Sequence, residues 1–303
     1  MTPARPVVPD LSVVIPTVGR DLLEGCLRSI AEGSHWPAAL IVVDQSSSPA
    51  VAAWVARLRA VGLQAEHLPS SETGIAAATN RGLERVHTRF AAVTHDDCRV
   101  AGDWVATMAA RLASSGLVVL TGRVEPEGEG AISAIKTLAT PVTYTRPLLD
   151  GDVLFPPNMG FPMRVPERIG YFDEHPSLRY AGEDNDWAYR GLRAGVPIVY
   201  DPTMVVRHVA WQRDILPIYR RYARGQGAFY GKFLRRADPF IARRAARDLL
   251  RGPWLLVRGL ATRNHDLTAM GRGEVTGILP GILAGMRGRA VRRPDTARSR
   301  ARP

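Results

Sequence analysis

Phe90-Ala91-Ala92-Val93-Thr94-His95-Asp96-Asp97-Cys98 is the stretch whose reading decides the fold of this chain. Apolar and β-forming residues run straight into a pair of carboxylates, as a buried strand does when it delivers acids to its carboxyl end. Paired carboxylates suit a divalent cation, because hard cations take oxygen ligands. In open α/β sheets, ligands bind in the crevice beyond the carboxyl ends of the strands. The competing reading is a polar turn, since Asp also favours turns and helix caps.

The surrounding chain decides between them. Leu11-Ser12-Val13-Val14-Ile15-Pro16 reads as a buried strand, followed by the turn Thr17-Val18-Gly19-Arg20 and a helix carrying Leu22, Leu23, Cys26, Leu27 and Ile30 at helical spacing. Leu40-Ile41-Val42-Val43-Asp44 is a second strand that ends in an acid. Helices are expected over 51–61, 74–86 and 101–114, with further strands at 63–68, 89–94 and 117–121. This alternation predicts a doubly wound, mostly parallel sheet. Thr17, Asp44 and the pair Asp96-Asp97 then lie along one rim, which favours the cation reading.

Downstream, 125–151 changes composition, with a short helix expected at 131–138; it reads either as a cover over a site or as a connection. Residues 155–161 approach as a strand and 166–170 form a helical turn. Gly182-Glu183-Asp184-Asn185-Asp186-Trp187 opens a helix that runs to Gly195. Acids there are favoured by the helix dipole, so capping alone would account for them. Residues 196–200 and 204–208 read as a strand pair flanking Asp201-Pro202.

The 303 residues carry a net charge of +11, unevenly spread. From Asp201 onward there are 22 Lys+Arg against 7 Asp+Glu, and before it 18 against 22, a balance of +15 against −4. Anionic lipid, an anionic substrate or nucleic acid could meet such a surface. No nucleic-acid module accompanies it, so no nucleic-acid partner is expected. Cys26 and Cys98 have neither metal-ligand spacing nor disulfide density, and a reducing cytoplasm is the expected compartment. No run of 18 apolar residues occurs, so no spanning helix is expected. Neither Gly-x-Gly-x-x-Gly after the first strand nor a Walker-type Gly-Lys-Ser/Thr is present, which disfavours dinucleotide dehydrogenases and P-loop enzymes.

Taken in order, these segments resemble glycosyltransferase family 2, the inverting GT-A enzymes, over roughly Leu11 to Trp211. Ser12 to Thr17 looks like the opening strand, Ile41 to Asp44 the nucleoside-binding acid, Gly74 to Asn80 the Gly…Ala-Arg-Asn helix, and Thr94 to Cys98 the metal motif. Pro157 to Phe161, Gly170 to Glu174, Gly182 to Trp187 with Arg190 and Gly195, Asp201-Pro202 and Arg207-His208 complete the order. Two departures stand out: His95 replaces the first acid of the metal motif, and Thr79 replaces the usual Arg before Asn80, with Arg81 a substitute charge nearby.

The resemblance implies a GT-A domain over 1–211, an Arg-rich helical extension over 212–286 and a basic tail over 287–303. It implies an inverting transfer of one sugar from a nucleotide-diphosphate donor (a UDP- or dTDP-sugar) to an acceptor hydroxyl, assisted by Mn²⁺ or Mg²⁺. Asp97 and His208 would hold the metal, the nitrogen ligand leaning the site towards Mn²⁺. Thr17, Arg20, Asp44, Asn80, His95 and Asp96 would bind the donor. Asp184 would be the base, oriented by Glu183, with Asn158, Asp186 and Trp187 on the acceptor side. Each has a plainer alternative: His95 and Trp187 as core, His208 as a strand end, Asn158 as a turn, the acids as caps. Trp211 is a second candidate for stacking on an acceptor ring.

The processive synthases of the family carry Gln-x-x-Arg-Trp and membrane helices; neither is found here. In 214–236, arginines alternate with aromatics, as in a helix or helix pair that covers the domain, binds diphosphate or lies on an anionic membrane. The apolar stretch 245–260 would pack on the core or on a second copy in a homodimer. The rival readings are a nucleotide-sugar-binding protein without turnover, motivated by His95 and Thr79, and a membrane-surface scaffold using the basic tail.

Overall fold

The computed structural model describes residues 5–130, 135–179, 181–210 and 215–287. Trp211, the first half of the expected helix at 131–138 and the tail beyond Arg287 lie outside them.

The first half follows the strand–helix alternation. Strands β1 (Val7–Thr17), β2 (Trp36–Asp44), β3 (Ala65–Pro69) and β4 (Phe90–Val93) alternate with helices α1 (Leu22–Ala31), α2 (Pro49–Ala60) and α3 (Ile75–Leu83). They pair in parallel in the order β3-β2-β1-β4. The apolar runs explain this arrangement: Val13, Val14, Ile15, Val42, Val43, Ala91, Ala92 and Val93 are fully buried, as strands covered on both faces must be.

The second half extends the sheet. β5 (Cys98–Val100), α4 (Trp104–Ala113), β6 (Val119–Glu127), β7 (Val142–Tyr144), β8 (Met159–Pro162), α5 (Arg164–Ile169), α6 (Glu183–Arg193) and β9 (Ile198–Val209) follow in sequence. β8 enters antiparallel between β4 and β6, and β9 runs parallel to β6. The sheet is therefore doubly wound and mostly parallel on one side, and mixed on the other.

Two expectations are corrected here, and one strand is added. The strand pair at 196–200 and 204–208 is one continuous strand, β9. Its register shifts against β6 at Gly122/Arg123, so Asp201-Pro202 is an irregularity within the strand instead of a turn. The three-residue β5 was too short to leave a periodic signal, yet it pairs antiparallel with β9 and sets Cys98 directly opposite His208. The described end of 131–138 is not helical, since Lys136 bridges Val124 in an antiparallel contact.

The extension forms α7 (Ile215–Leu234), α8 (Pro239–Ala261) and α9 (His265–Met286). Residues 215–234 are thus one helix and not a pair. α9 had no clear apolar period because its inner face is glycine: Gly273, Gly277, Gly281 and Gly285 let it run parallel to α7 at backbone contact. A Cβ on Gly281 would lie 2.1 Å from the Arg224 carbonyl oxygen, and one on Gly285 2.0 Å from that of Ala228. Small residues at such a seam allow close helix approach. Gly281→Val is expected to cost about 1–3 kcal/mol or more through overpacking, read as a lower thermal midpoint; an unchanged midpoint would mean the seam is looser than described.

The extension is anchored on the domain by a buried ion cluster. The Lys232 ammonium lies 2.7 Å from Asp173 and 2.5 Å from Asp186, and Arg190 reaches Asp186 at 2.8 Å. Gly182, at the start of α6 with φ 89°, abuts Gly225 of α7: a Cβ there would sit 2.5 Å from the Gly225 carbonyl oxygen. The start of the acidic helix therefore rests directly on the extension.

Candidate active site

β1 ends at Thr17, whose hydroxyl donates to Asp96 Oδ2 at 2.8 Å, so the first strand holds the acid loop that follows β4. The Arg20 guanidinium approaches both acids, 3.3 Å from Asp96 and 2.5 Å from Asp97. β9 brings His208 to the same place, with Nε2 3.6 Å from Asp97 Oδ1. Donor atoms of Asp97, Cys98 and His208 all lie within 4.8 Å of one another.

Electrostatics follow from burial. Desolvation lifts Asp96 to about 6 despite Arg20 beside it. Burial alone would also raise Asp97, but His208, His95 and Arg20 outweigh it and hold that carboxyl below its ordinary range. Burial lowers His95 to about 4 and also lowers His208, leaving both imidazoles neutral at neutral pH. A neutral imidazole beside an ionised carboxylate offers lone pairs to a cation. The clustered donor atoms of Asp97 and His208, with Asp96 alongside, would suit a divalent ion, while Arg20 balances the charge of the two acids. The two cysteines are buried and unbridged, and burial raises both thiols.

These groups line one side of a cavity of about 760 Å³, and the acidic start of α6 lines the other. Burial raises Asp184 to about 7, with the nearby Asp152 carboxylate adding to the shift. Glu183 is raised further, by burial and then by Asp184, and its Oε2 has no hydrogen-bond partner among the described residues. A carboxyl poised near neutrality in a cleft is what proton abstraction requires.

Of the residues singled out from sequence, Thr17, Arg20, His95, Asp96, Asp97, Glu183, Asp184 and His208 converge on this cavity. Five do not. Asn158 is fully buried and spends its amide on the Trp104 indole and the carbonyls of Arg123 and Met204. Asp186 is consumed by Lys232 and Arg190, and Trp187 stacks on Phe172 at 4.8 Å inside the core. None of these three lines the cavity; they tie elements together. Asn80 likewise joins α3 to Phe172 and Glu174, and the Asp44 carboxylate is engaged by Ser46 and His67 behind the wall. Arg81 does not reach the cavity; Arg179, close to Gly74, does.

Other parts of the cavity wall come from the extension and from residues 151–155. Tyr219, Tyr222, Gln226 and Arg244 line it, as do Gly151, Asp152, Leu154 and Phe155. Arg244 holds Asp152 at 2.7 Å, and Arg247 holds Asp150 and the Leu149 carbonyl, so this stretch is strapped to α8 as a cover. Asn185, next to Asp184, donates to Gln226 of α7 at 2.8 Å. The Arg–aromatic alternation in 214–236 was the one available signal for this wall.

Comparison with known proteins agrees with this geometry. Residues 12–165 match the family described as Glycosyl transferase family 2. The "Pre-mycofactocin glycosyltransferase" of Mycobacterium tuberculosis is 27% identical over 214 residues, which is 68% of this chain. The alignment spans 44% of that longer relative. Among solved structures, the mannosyltransferase PcManGT from Pyrobaculum calidifontis, in complex with GDP-Man and Mn²⁺, superposes with a TM-score of 0.61 at 17% identity, covering 93% of this chain and 91% of its own. S. aureus TarS 1-349 in complex with UDP-GlcNAc gives 0.54 at 13% identity, over 87% and 90%. The fold is thus that of GT-A glycosyltransferases. A match over half the chain, starting at the opening strand and carrying the acid pair of β4 with it, makes this chain a member of glycosyltransferase family 2.

Proposed function

We propose that this glycosyltransferase moves one sugar from a nucleoside-diphosphate donor to an acceptor hydroxyl with inversion at the anomeric carbon. The carrying observation is that Asp96, Asp97 and His208 share a single cavity with the raised carboxyl of Asp184. One end of the cavity suits a diphosphate leaving group and the other a proton acceptor.

Thr17, Arg20 and His95 bind the donor on the β1–β4 rim. Asp97 and His208, with Asp96 alongside, would hold Mn²⁺ or Mg²⁺, which would supply Lewis-acid neutralisation of charge on a departing diphosphate. Asp184 takes the proton of the acceptor hydroxyl as that oxygen attacks, and Glu183 fixes its surroundings. Tyr219, Tyr222 and Gln226 shape the acceptor side. The Mn²⁺ and GDP-Man seen with PcManGT and the UDP-GlcNAc seen with TarS support a nucleotide-sugar donor.

Thermal stabilisation by UDP, dTDP and GDP, each with Mn²⁺ and again with EDTA, tests this directly. One nucleotide should raise the melting temperature only when the metal is present, and saturation at a hundredfold excess over Kd corresponds to about 2.7 kcal/mol. Asp97→Asn should abolish that metal-dependent part. The absence of a shift with every nucleotide would reject the donor site.

A further inference from the structure

Sixteen large hydrophobic side chains are exposed among the described residues, and nine of them are on α8 and α9. On α8, Leu250, Trp254 and Val257 recur at helical spacing on the side opposite the buried Ile241, Ala245 and Leu255. They are 75%, 56% and 67% exposed, more than surface packing of a small domain leaves open along one helix. On α9, Val275, Leu279, Leu283 and Met286 form a matching row. The two helices run antiparallel in contact, with Gly252 against Glu274 and Val275 and Gly259 against Thr268. The rows therefore belong to one helical hairpin.

The charge around this hairpin has one sign. Arg243, Arg258, Arg263, Arg272 and Arg287 are exposed, whereas Asp266 is the sole exposed acid between 239 and 287; Asp248 and Glu274 are buried. Arg258 lies 5.0 Å over the Trp254 ring, giving that indole a basic neighbour. In sequence, six further arginines and one acid follow between 288 and 303. Among the described residues no helix is long and apolar enough to cross a membrane.

We propose that the α8–α9 hairpin docks on an anionic lipid surface, its apolar rows entering the headgroup boundary and its arginines pairing with lipid phosphates. An apolar face with basic flanks is the pattern that lies in a membrane interface, and each basic residue adds attraction to anionic lipid. Charge also selects against the other obvious occupant. An isologous dimer through this face would oppose five arginines with five arginines. The docking stands independently of the glycosyl-transfer reading, since none of these side chains contacts the proposed reacting groups.

The full chain should float with vesicles of phosphatidylcholine mixed with phosphatidylglycerol, bind phosphatidylcholine alone far less, and lose binding as salt is raised. Leu250→Glu/Val257→Glu/Leu279→Glu, which leaves every arginine and the tail in place, should weaken partitioning by about tenfold or more. The same sites changed to Ser give a milder variant if the triple Glu protein melts early, and it should also bind more weakly. Failure of the parent chain to bind the mixed vesicles would overturn the proposal, as would equal binding by parent and variants, which would assign attachment to the tail. A dimer in solution that the Glu variant dissociates would overturn it in favour of a second copy.

Discussion

Asp184→Asn is expected to lower turnover by about 10²- to 10⁴-fold, the range for loss of a positioned base, while nucleotide binding persists. The substitution is nearly isosteric, and its side-chain oxygen can still accept from the Asn185 backbone amide as the carboxylate does at 2.8 Å. The parent enzyme's kcat/KM should rise with pH through about 7, because burial and the neighbouring Asp152 raise this carboxyl and only its ionised form accepts a proton. The stability sign is opposite. A carboxyl whose folded-state pKa is raised binds more protons folded than unfolded, so stability falls as pH climbs from the ordinary carboxylate range through about 7. The Asn variant escapes this loss, and it should melt several degrees above the parent on the alkaline side of that window and lose the advantage in acid. Asp184 as a mere helix cap predicts the reverse: a less stable variant with its transfer activity intact.

Lys232→Met should be the most damaging single change to folding. It leaves Asp173 and Asp186, 3% and 0% exposed, without the ammonium that both of them contact. Breaking a buried pair by removing one partner costs about 3–5 kcal/mol, since an uncompensated charge remains. Arg190 still reaches Asp186, so Asp173 bears most of the loss, and adding Asp173→Asn should restore part of the stability. Urea unfolding reads both variants. Activity should fall as well, because the start of α6 rests on α7 through Gly182 and Gly225. A Met variant within about 1 kcal/mol of the parent would show that the extension is held by its apolar contacts alone.

The acidic rim of the cavity was legible because its residues are strand ends. A buried run such as Phe90–Val93 can stop only where a polar group meets solvent or ligand, so Thr17, Asp96 and Asp97 mark the rim from local sequence alone. The rest of the cavity wall was not legible on the same terms. Asn158, Asp186 and Trp187 lie within segments that resemble the family's acceptor side, yet their polar atoms are spent inside the protein. No local pattern distinguishes an amide that binds a sugar from one that binds Trp104 and two carbonyls. Their neighbours Asp184 and Asn185 line the cavity instead, at the start of an α6 that begins in a left-handed Gly182 pressed against α7.

The sequence by itself determined the alternation of strands and helices, the parallel half of the sheet, the family and the acids at the rim. These rest on hydrophobic period and on residues close in sequence, where a single side chain's surroundings are set by its immediate neighbours. Tertiary structure decided whatever depends on distant contact. It carried His208 to Asp97 through the long β9 strand and the three-residue β5. It strapped 149–152 to α8 and brought α7 to the cavity wall. It also turned a row of glycines into the seam that docks α9. Glycine leaves no hydrophobic period to read, and an ion pair between residues 59 positions apart, Asp173 and Lys232, leaves no local signal at all.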